Sequence, residues 1–220
     1  IEKFRFSFAI GSIMALVGEI IKYAKKMKTP DEKKVLTIAV KNTVILLSPF
    51  APHVCEEMWS LLGEKSRASV EKWPVCNEKL IDKKAEKMDG LVKKTAEDIR
   101  EIIKLLSKDT EKIMIYVAPA WKHKIYLLAL KKPKNLIAEV MNDSDMKKRG
   151  IEASKYAQQL MKTPVLYDVL TPKEEMIALE NAVDLLKEEF GCDVKVVFAD
   201  DSKSDKAGKA VPGKPGIEIF

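Results

Sequence analysis

The chain has 220 residues, 46% apolar and 33% charged, with a formal net charge of +6 and a pI near 9.0. This length and balance fit one or two ordinary cores under a polar surface and exclude a disordered chain. Its apolar runs are broken by Ser, Thr, Lys or Glu before the roughly 20 residues a membrane span needs, so no membrane association is expected.

The chain opens at Ile1 inside an apolar periodic pattern with no N-cap, and is expected to belong to a longer polypeptide. Phe6, Ile10, Ile13, Leu16 or Val17, Ile20, Ile21 and Ala24 recur at helical spacing and predict one long amphipathic helix from about residue 3 to 28. Glu19 and Lys22 make it a poor signal segment, and Gly11 and Gly18 are read as points of close packing. Thr29, Pro30 and Glu32 form a capping box that starts a second helix running to Leu47. Pro49 and Pro52 lack N–H groups and restrict the residues before them, which predicts a sharp corner and then a short helix to about Leu62, ended by Gly63. Ser66 to Asn77 reads as a loop around Trp73-Pro74. Beyond it, Met88, Leu91, Val92, Thr95, Ile99, Ile102, Ile103 and Leu106 mark a long helix that is expected to close a bundle.

After Ser107 to Thr110 the period changes from helical to extended. Ile113 to Val117 is a short run rich in β-branched residues, ended by Pro119, and predicts a central strand. Helices are expected over Ala120 to Leu130, Leu136 to Met141 and Ser144 to Met161, and from a second capping box at Thr171 to Phe190 before Gly191. Asp193 to Ala199 and Ile217 to Phe220 read as further strands, with a mobile loop over Asp200 to Gly216 because little there can be buried. The expected fold is mainly α: an antiparallel helix bundle over residues 1–108, followed by a small mixed α/β domain over 111–220.

No catalytic constellation emerges. His53 and His123 lie far apart, no G-x-S-x-G is present, and Pro212-Gly213-Lys214-Pro215-Gly216 lacks P-loop spacing. Cys55, Cys76 and Cys192 are too few and too widely spaced for a zinc site, and read as buried or inert reduced thiols of a cytoplasmic protein. His53, Glu56 and Glu57 are read as satisfying free backbone N–H groups, and Trp59 and Trp73 as packing anchors.

Charge distribution gives the candidate binding residues. Pro119 to Ala138 holds Lys122, Lys124, Lys131, Lys132 and Lys134 and no acid before Glu139, a candidate phosphate-facing strip. Trp121 within it could stack on an unpaired base, or equally pack under the sheet. Arg100 with Lys93, Lys104 and Lys108 could form a second ridge, although Glu97, Asp98 and Glu101 allow ordinary ion pairs there.

The segment Leu46-Leu47-Ser48-Pro49-Phe50-Ala51-Pro52-His53-Val54-Cys55-Glu56-Glu57-Met58-Trp59, with Trp73-Pro74 downstream, resembles the helical anticodon-binding domain of class I aminoacyl-tRNA synthetases. The Ile113 to Lys122 segment and the ending Lys214 to Phe220 narrow the resemblance to leucyl-tRNA synthetases of the archaeal and eukaryotic type. The resemblance implies a tRNA partner, tRNA-Leu, with its long variable arm read by the second domain. It also implies a monomer whose catalytic and editing domains lie elsewhere in the parent chain. No cofactor is expected in this segment, since ATP and Mg would belong to the parent's catalytic domain; Lys26-Met27-Lys28-Thr29 is only a distant echo of that domain's signature loop. The implied tRNA-binding residues are Trp121, Lys122, Lys124, Lys131 and Lys132, Arg100 and Lys104, and Lys214, Ile217, Ile219 and Phe220 at the tail. The alternatives are the equivalent region of an isoleucyl or valyl enzyme, or a helical module that docks protein and not RNA.

Overall fold

The computed structural model describes residues 5–27, 29–106, 110–131, 133, 135–163 and 165–220, Lys26 by its backbone alone. It divides into two compact units, Ile1–Leu80 and Ile81–Phe220.

The first unit contains helices α1 (Phe6–Lys26), α2 (Pro30–Leu47) and α3 (Pro52–Leu61), followed by short 3-10 turns at Ala68–Val70 and Glu78–Leu80. The capping box forms as the sequence predicts: Glu32 N donates to Thr29 Oγ1 at 3.3 Å and Thr29 N donates to Glu32 Oε2 at 2.7 Å. At the proline corner both Phe50 N and Ala51 N donate to Leu47 O, closing the turn between α2 and α3. Its small core gathers Val44, Ile45, Cys55, Trp59 and Ala68. Trp59 Nε1 donates to Ser66 Oγ at 3.2 Å, so the indole is both buried and satisfied. Glu56 accepts from Ala68 N and Ser69 N, each at 3.0 Å, and these bonds, led by Ser69, hold its carboxyl below the usual range. It therefore caps the later 3-10 turn and not its own helix.

Several expectations for this unit are corrected. Trp73 is 48% exposed and lies outside the buried cluster around Trp59. A Cβ at Gly11 or Gly18 would meet open space, so neither glycine marks close packing. By length and composition alone, Phe6–Lys25 is long and apolar enough to cross a membrane, because Glu19 and Lys22 fall near its end and leave a long apolar stretch before them.

The second unit begins with α4 (Lys83–Leu106) and continues through β1 (Lys112–Val117), α5 (Ala120–Leu130), α6 (Leu136–Asn142), α7 (Ser144–Lys162), α8 (Pro172–Asn181), α9 (Val183–Phe190), β2 (Asp193–Phe198), α10 (Asp205–Gly208) and β3 (Gly216–Ile219). The strands form a sheet in the order β2-β1-β3, with β1 parallel to β2 (Ile113 opposite Val194) and antiparallel to β3 (Ile113 opposite Ile219). One face presents Ile113, Ile115, Val117, Val194 and Ile217 to α8, α9 and α4. An apolar sheet face needs a helical layer over it, and α4 supplies part of that layer with Leu91, Val92, Ala96 and Ile99. The boundary between the compact units thus falls before α4.

The helix expected from Thr171 to Phe190 is interrupted at Ala182, and α9 ends at Gly191 with φ 67°. The expected mobile loop is folded: Ala207 and Ala210 pack with Tyr116 and Ala118 on the other sheet face, and Val211 pairs with Lys214. Two small alanines three residues apart are enough to seat it, a signal that low apolar content hides. Gly216 permits the fit, because a Cβ there would lie 2.4 Å from Lys206 O.

Candidate nucleic-acid interface

Among the described lysines of the predicted strip, Lys122 is buried while Lys124 and Lys131 are exposed. Trp121, in the first turn of α5, is 9% exposed and packs edge-on against Tyr156 of α7, with centroids 5.8 Å apart at 79°. Lys122 is 7% exposed, and its Nζ donates to Gly208 O and Ala210 O, both at 2.6 Å. The same ammonium lies 5.6 Å from the Trp121 centroid and 5.7 Å from that of Tyr156. Burial pulls its pKa down, opposed by Glu152 and Asp200. Lys122 therefore ties α5 to the 208–210 segment and is not presented to solvent. Lys124 is exposed, 3.9 Å from Asp145, and Lys131 is exposed just past the end of α5. Lys132 lies outside the described residues, as do Lys134 and Lys108.

On α4, Arg100 is paired: its Nε and Nη2 reach Glu189 Oε1 at 2.7 and 2.6 Å. Lys93 pairs with Asp89 at 2.9 Å, while Lys104 is exposed. At the tail, Ile217 is buried and Ile219 half-buried against the sheet core. Phe220 is exposed, with Lys112 Nζ 6.0 Å from its ring centroid, and its backbone pairs with Lys112. Lys214 is an exposed member of the Val211 pair. Glu218 accepts from Tyr116 Oη at 2.6 Å, and burial together with this bond raises the phenol's pKa.

Residues from elsewhere in the chain add cations beside Trp121. The α7 helix is kinked at Gly150, whose φ of 42° few other residues adopt. Just before the kink, the Arg149 guanidinium lies over the Trp121 ring, 5.2 Å from its centroid, and Nη2 is 3.6 Å from Asp200 Oδ1. Between α5, α7 and the 199–211 segment is a cavity of about 710 Å³, lined among others by Arg149, Lys155, Lys203 and Lys209. A second hollow of about 500 Å³ adjoins it, sharing Trp121, Arg149 and Asp200 and adding Lys124 and Lys148. Sequence reasoning missed Arg149 and Tyr156; only Gly150 inside an otherwise helical pattern hinted that α7 turns there.

Tyr156, which lines the larger hollow, and the pair His123 and Glu175 are buried polar residues. Glu175 Oε1 accepts from Gly213 N at 2.7 Å, and Glu175 Oε2 lies 3.5 Å from His123 Nε2. Tyr156 Oη is buried without a hydrogen-bond partner, and burial pushes its pKa well up. These residues fix the 211–214 turn relative to α5 and α8. Among the described residues, no three His, Cys, Asp or Glu side chains are gathered to hold a metal ion.

Residues 1–115 match the family model described as the anticodon-binding domain of tRNA ligase. The chain is 34% identical over 201 residues to the leucine–tRNA ligase of Methanosarcina barkeri, a match covering 84% of this chain and 21% of the relative. It is 31% identical over 226 residues to that of Pyrococcus abyssi, covering all of this chain and 23% of the relative. With that of Halobacterium salinarum it shares 30% identity over 220 residues, 99% of this chain and 24% of the relative. The chain thus spans under a quarter of the length of these archaeal enzymes. Its prolines at the α2–α3 corner, its buried Trp59 and this match over its first half all agree: the chain belongs to the family of anticodon-binding domains of tRNA ligases.

Proposed function

We propose that this chain is the C-terminal, tRNA-binding part of a leucine–tRNA ligase, holding tRNA-Leu so that its 3′ end reaches a catalytic domain in the rest of the parent polypeptide. The observation that carries this reading is the similarity of the whole chain, both units included, to archaeal leucine–tRNA ligases. In this reading the first unit grips the anticodon-stem side, and the second contacts the long variable arm through its exposed cations and tail. The contribution to catalysis is positioning: a correctly held acceptor end removes orientational freedom before the chemical step. ATP and Mg would act in the catalytic domain, and the protein would work as a cytoplasmic monomer.

The exposed apolar side chains of α1 and α2, among them Phe8, Met14, Val35 and Ile38, favour a second role for the first unit. They would dock against the catalytic and editing parts of the same polypeptide.

Binding of the 220-residue chain to tRNA-Leu and to a short-variable-arm tRNA, at two salt concentrations, tests the reading. Preference for the long arm is expected, with log K falling by roughly 0.7 to 0.9 per phosphate contact for each unit of log salt. Equal binding to both tRNAs would remove the variable-arm role, and salt-independent binding would point to protein docking alone.

A further inference from the structure

We infer that the second unit holds a site for one unpaired RNA nucleotide, with the Arg149 guanidinium as the surface on which the base stacks and flanking lysines as its phosphate contacts. This rests on the reading that the chain binds RNA, and assigns that role a place which neither the motifs nor the tail suggested.

Three observations meet at Arg149. One side of its guanidinium is backed by the Trp121 ring at 5.2 Å, and Nη2 is steadied by Asp200 at 3.6 Å. Trp121 is itself held by Tyr156 and by the buried Lys122 ammonium, so the platform has a rigid footing. The side chain nevertheless keeps 40% of its surface exposed and borders both hollows. A planar, weakly hydrated cation fixed in this way suits a nucleobase face better than a lysine would. Trp121 is a positioning residue here, because it is too covered to meet a base directly.

The surroundings supply charge on both sides. Exposed Lys124 and Lys148 border the smaller hollow, and exposed Lys155, Lys203 and Lys209 the larger. The acids nearby are Asp145, close to Lys124 and Lys148, Asp200, close to Arg149, and Glu152. Volumes of about 500 and 710 Å³ lie within the usual range for small-ligand sites. A strand crossing from one hollow to the other could place successive phosphates near the two lysine groups, with its base on the arginine between them. Such stacking recognises any base through its π-face, so the site would favour unpaired over paired nucleotides and not one base over another.

The test uses the whole chain and a fluorescently labelled single-stranded hexaribonucleotide, compared with an oligonucleotide of the same backbone made abasic at every position. The base-containing strand is expected to bind roughly 5- to 150-fold more tightly, with one base–aromatic stack as the guide. Arg149→Lys keeps the charge and loses the plane: the preference should vanish while abasic binding and the salt slope stay unchanged. Trp121→Phe should reduce the preference partly, and circular dichroism checks that both variants fold. Equal binding of the two strands, no binding of either, or an undiminished preference in Arg149→Lys would overturn the proposal. So would competition by polyglutamate as effective as that by the base-containing strand, which would make the surface a site for acidic peptides. Intact tRNA-Leu separates the two readings. Normal tRNA binding without a base preference would sink the nucleotide site alone; a base preference without tRNA binding would sink the tRNA reading alone.

Discussion

Helices α1 and α4 have similar lengths, 21 and 24 residues, and each carries an apolar stripe at helical spacing, yet they end in opposite circumstances. In α4 the stripe meets a sheet: Leu91, Val92, Ala96 and Ile99 are buried against β1 and the helices beside it. In α1 the stripe packs on α2, with Phe6 edge-on to Phe50 at the corner, and Phe8 and Met14 remain 76% and 69% exposed. Amphipathic periodicity is a sufficient reason for a segment to be helical, but stability comes from the layer on which the helix lies. The second unit carries its own core across both sheet faces. The first unit holds a small core around Trp59 and exposes large apolar side chains of α1 and α2, among them Phe8, Met14, Val35 and Ile38.

Truncation at matched positions is the strongest way to break this comparison. Ile99→Ala removes a fully buried side chain and should cost about 2 to 5 kcal/mol, read as a lowered urea midpoint. Met14→Ala removes an exposed one and should stay within about 0.5 kcal/mol. Comparable losses in the two variants would show that the α1 face is buried in solution, and the contrast would fall.

Glycine-to-alanine changes sharpen it with opposite signs. At Gly216 the new methyl would lie 2.4 Å from Lys206 O, so β3 or α10 must shift, at about 1 to 3 kcal/mol. At Gly11 in α1 the methyl enters open space, and the gain in helix propensity should stabilise by about 0.5 to 1 kcal/mol. Thermal melts of both variants decide the signs; a destabilised Gly11→Ala would mean that α1 has a close neighbour in solution.

Local chemistry in this chain was legible where one short segment determines it. Both capping boxes form at Thr29 and Thr171, and Ile113 to Val117 is the central strand with parallel and antiparallel neighbours. The Pro49–Pro52 corner closes the turn between α2 and α3, and Trp59 beyond it is buried. The assignment of α4 to a core was not legible, because a periodic stripe states that a face is buried and not against what. Order in residues 200–216 was hidden for a related reason: Ala207 and Ala210 look unremarkable until Tyr116 and Ala118 are found beneath them. The proposed interface was half visible. Trp121 and Lys124 stood out by type, but Arg149 reaches Trp121 only through the fold, and the carbonyls that occupy Lys122 belong to Gly208 and Ala210, more than 80 residues away.

The two capping boxes allow a subtler comparison, because the same chemistry sits in differently supported helices. Thr29→Ala and Thr171→Ala each remove a hydroxyl that accepts from the backbone N–H three residues on, worth about 1 kcal/mol. In α8, whose Leu179 is fully buried, the loss should lower the global transition of the second unit. In α2 the first turn is exposed, so the loss should appear as faster amide exchange at its start with little change in the midpoint. A shifted global midpoint in Thr29→Ala would show that the start of α2 is coupled to the rest of the chain.

The smallest expected effect concerns Glu174, the acid of the second box. Lys84 Nζ approaches its Oε1 at 2.6 Å, and this bond, joined by those with Thr171, holds the carboxyl at about 2, down from an ordinary value of 4.5. A carboxyl whose pKa is depressed by folding binds fewer protons folded than unfolded, so it stabilises the fold above its unfolded value. That contribution is lost as pH falls from about 4.5 towards 2. Melting temperature against pH should therefore decline less steeply across this window in Glu174→Gln than in the wild type, and Lys84→Met should give an intermediate slope. The pair joins α4 to α8 within the second unit, so the change should follow the transition of that unit and leave amide exchange in α1 untouched. Identical slopes in all three proteins would show that the Lys84 contact is not maintained in solution, and that α4 is held to α8 by its apolar face alone.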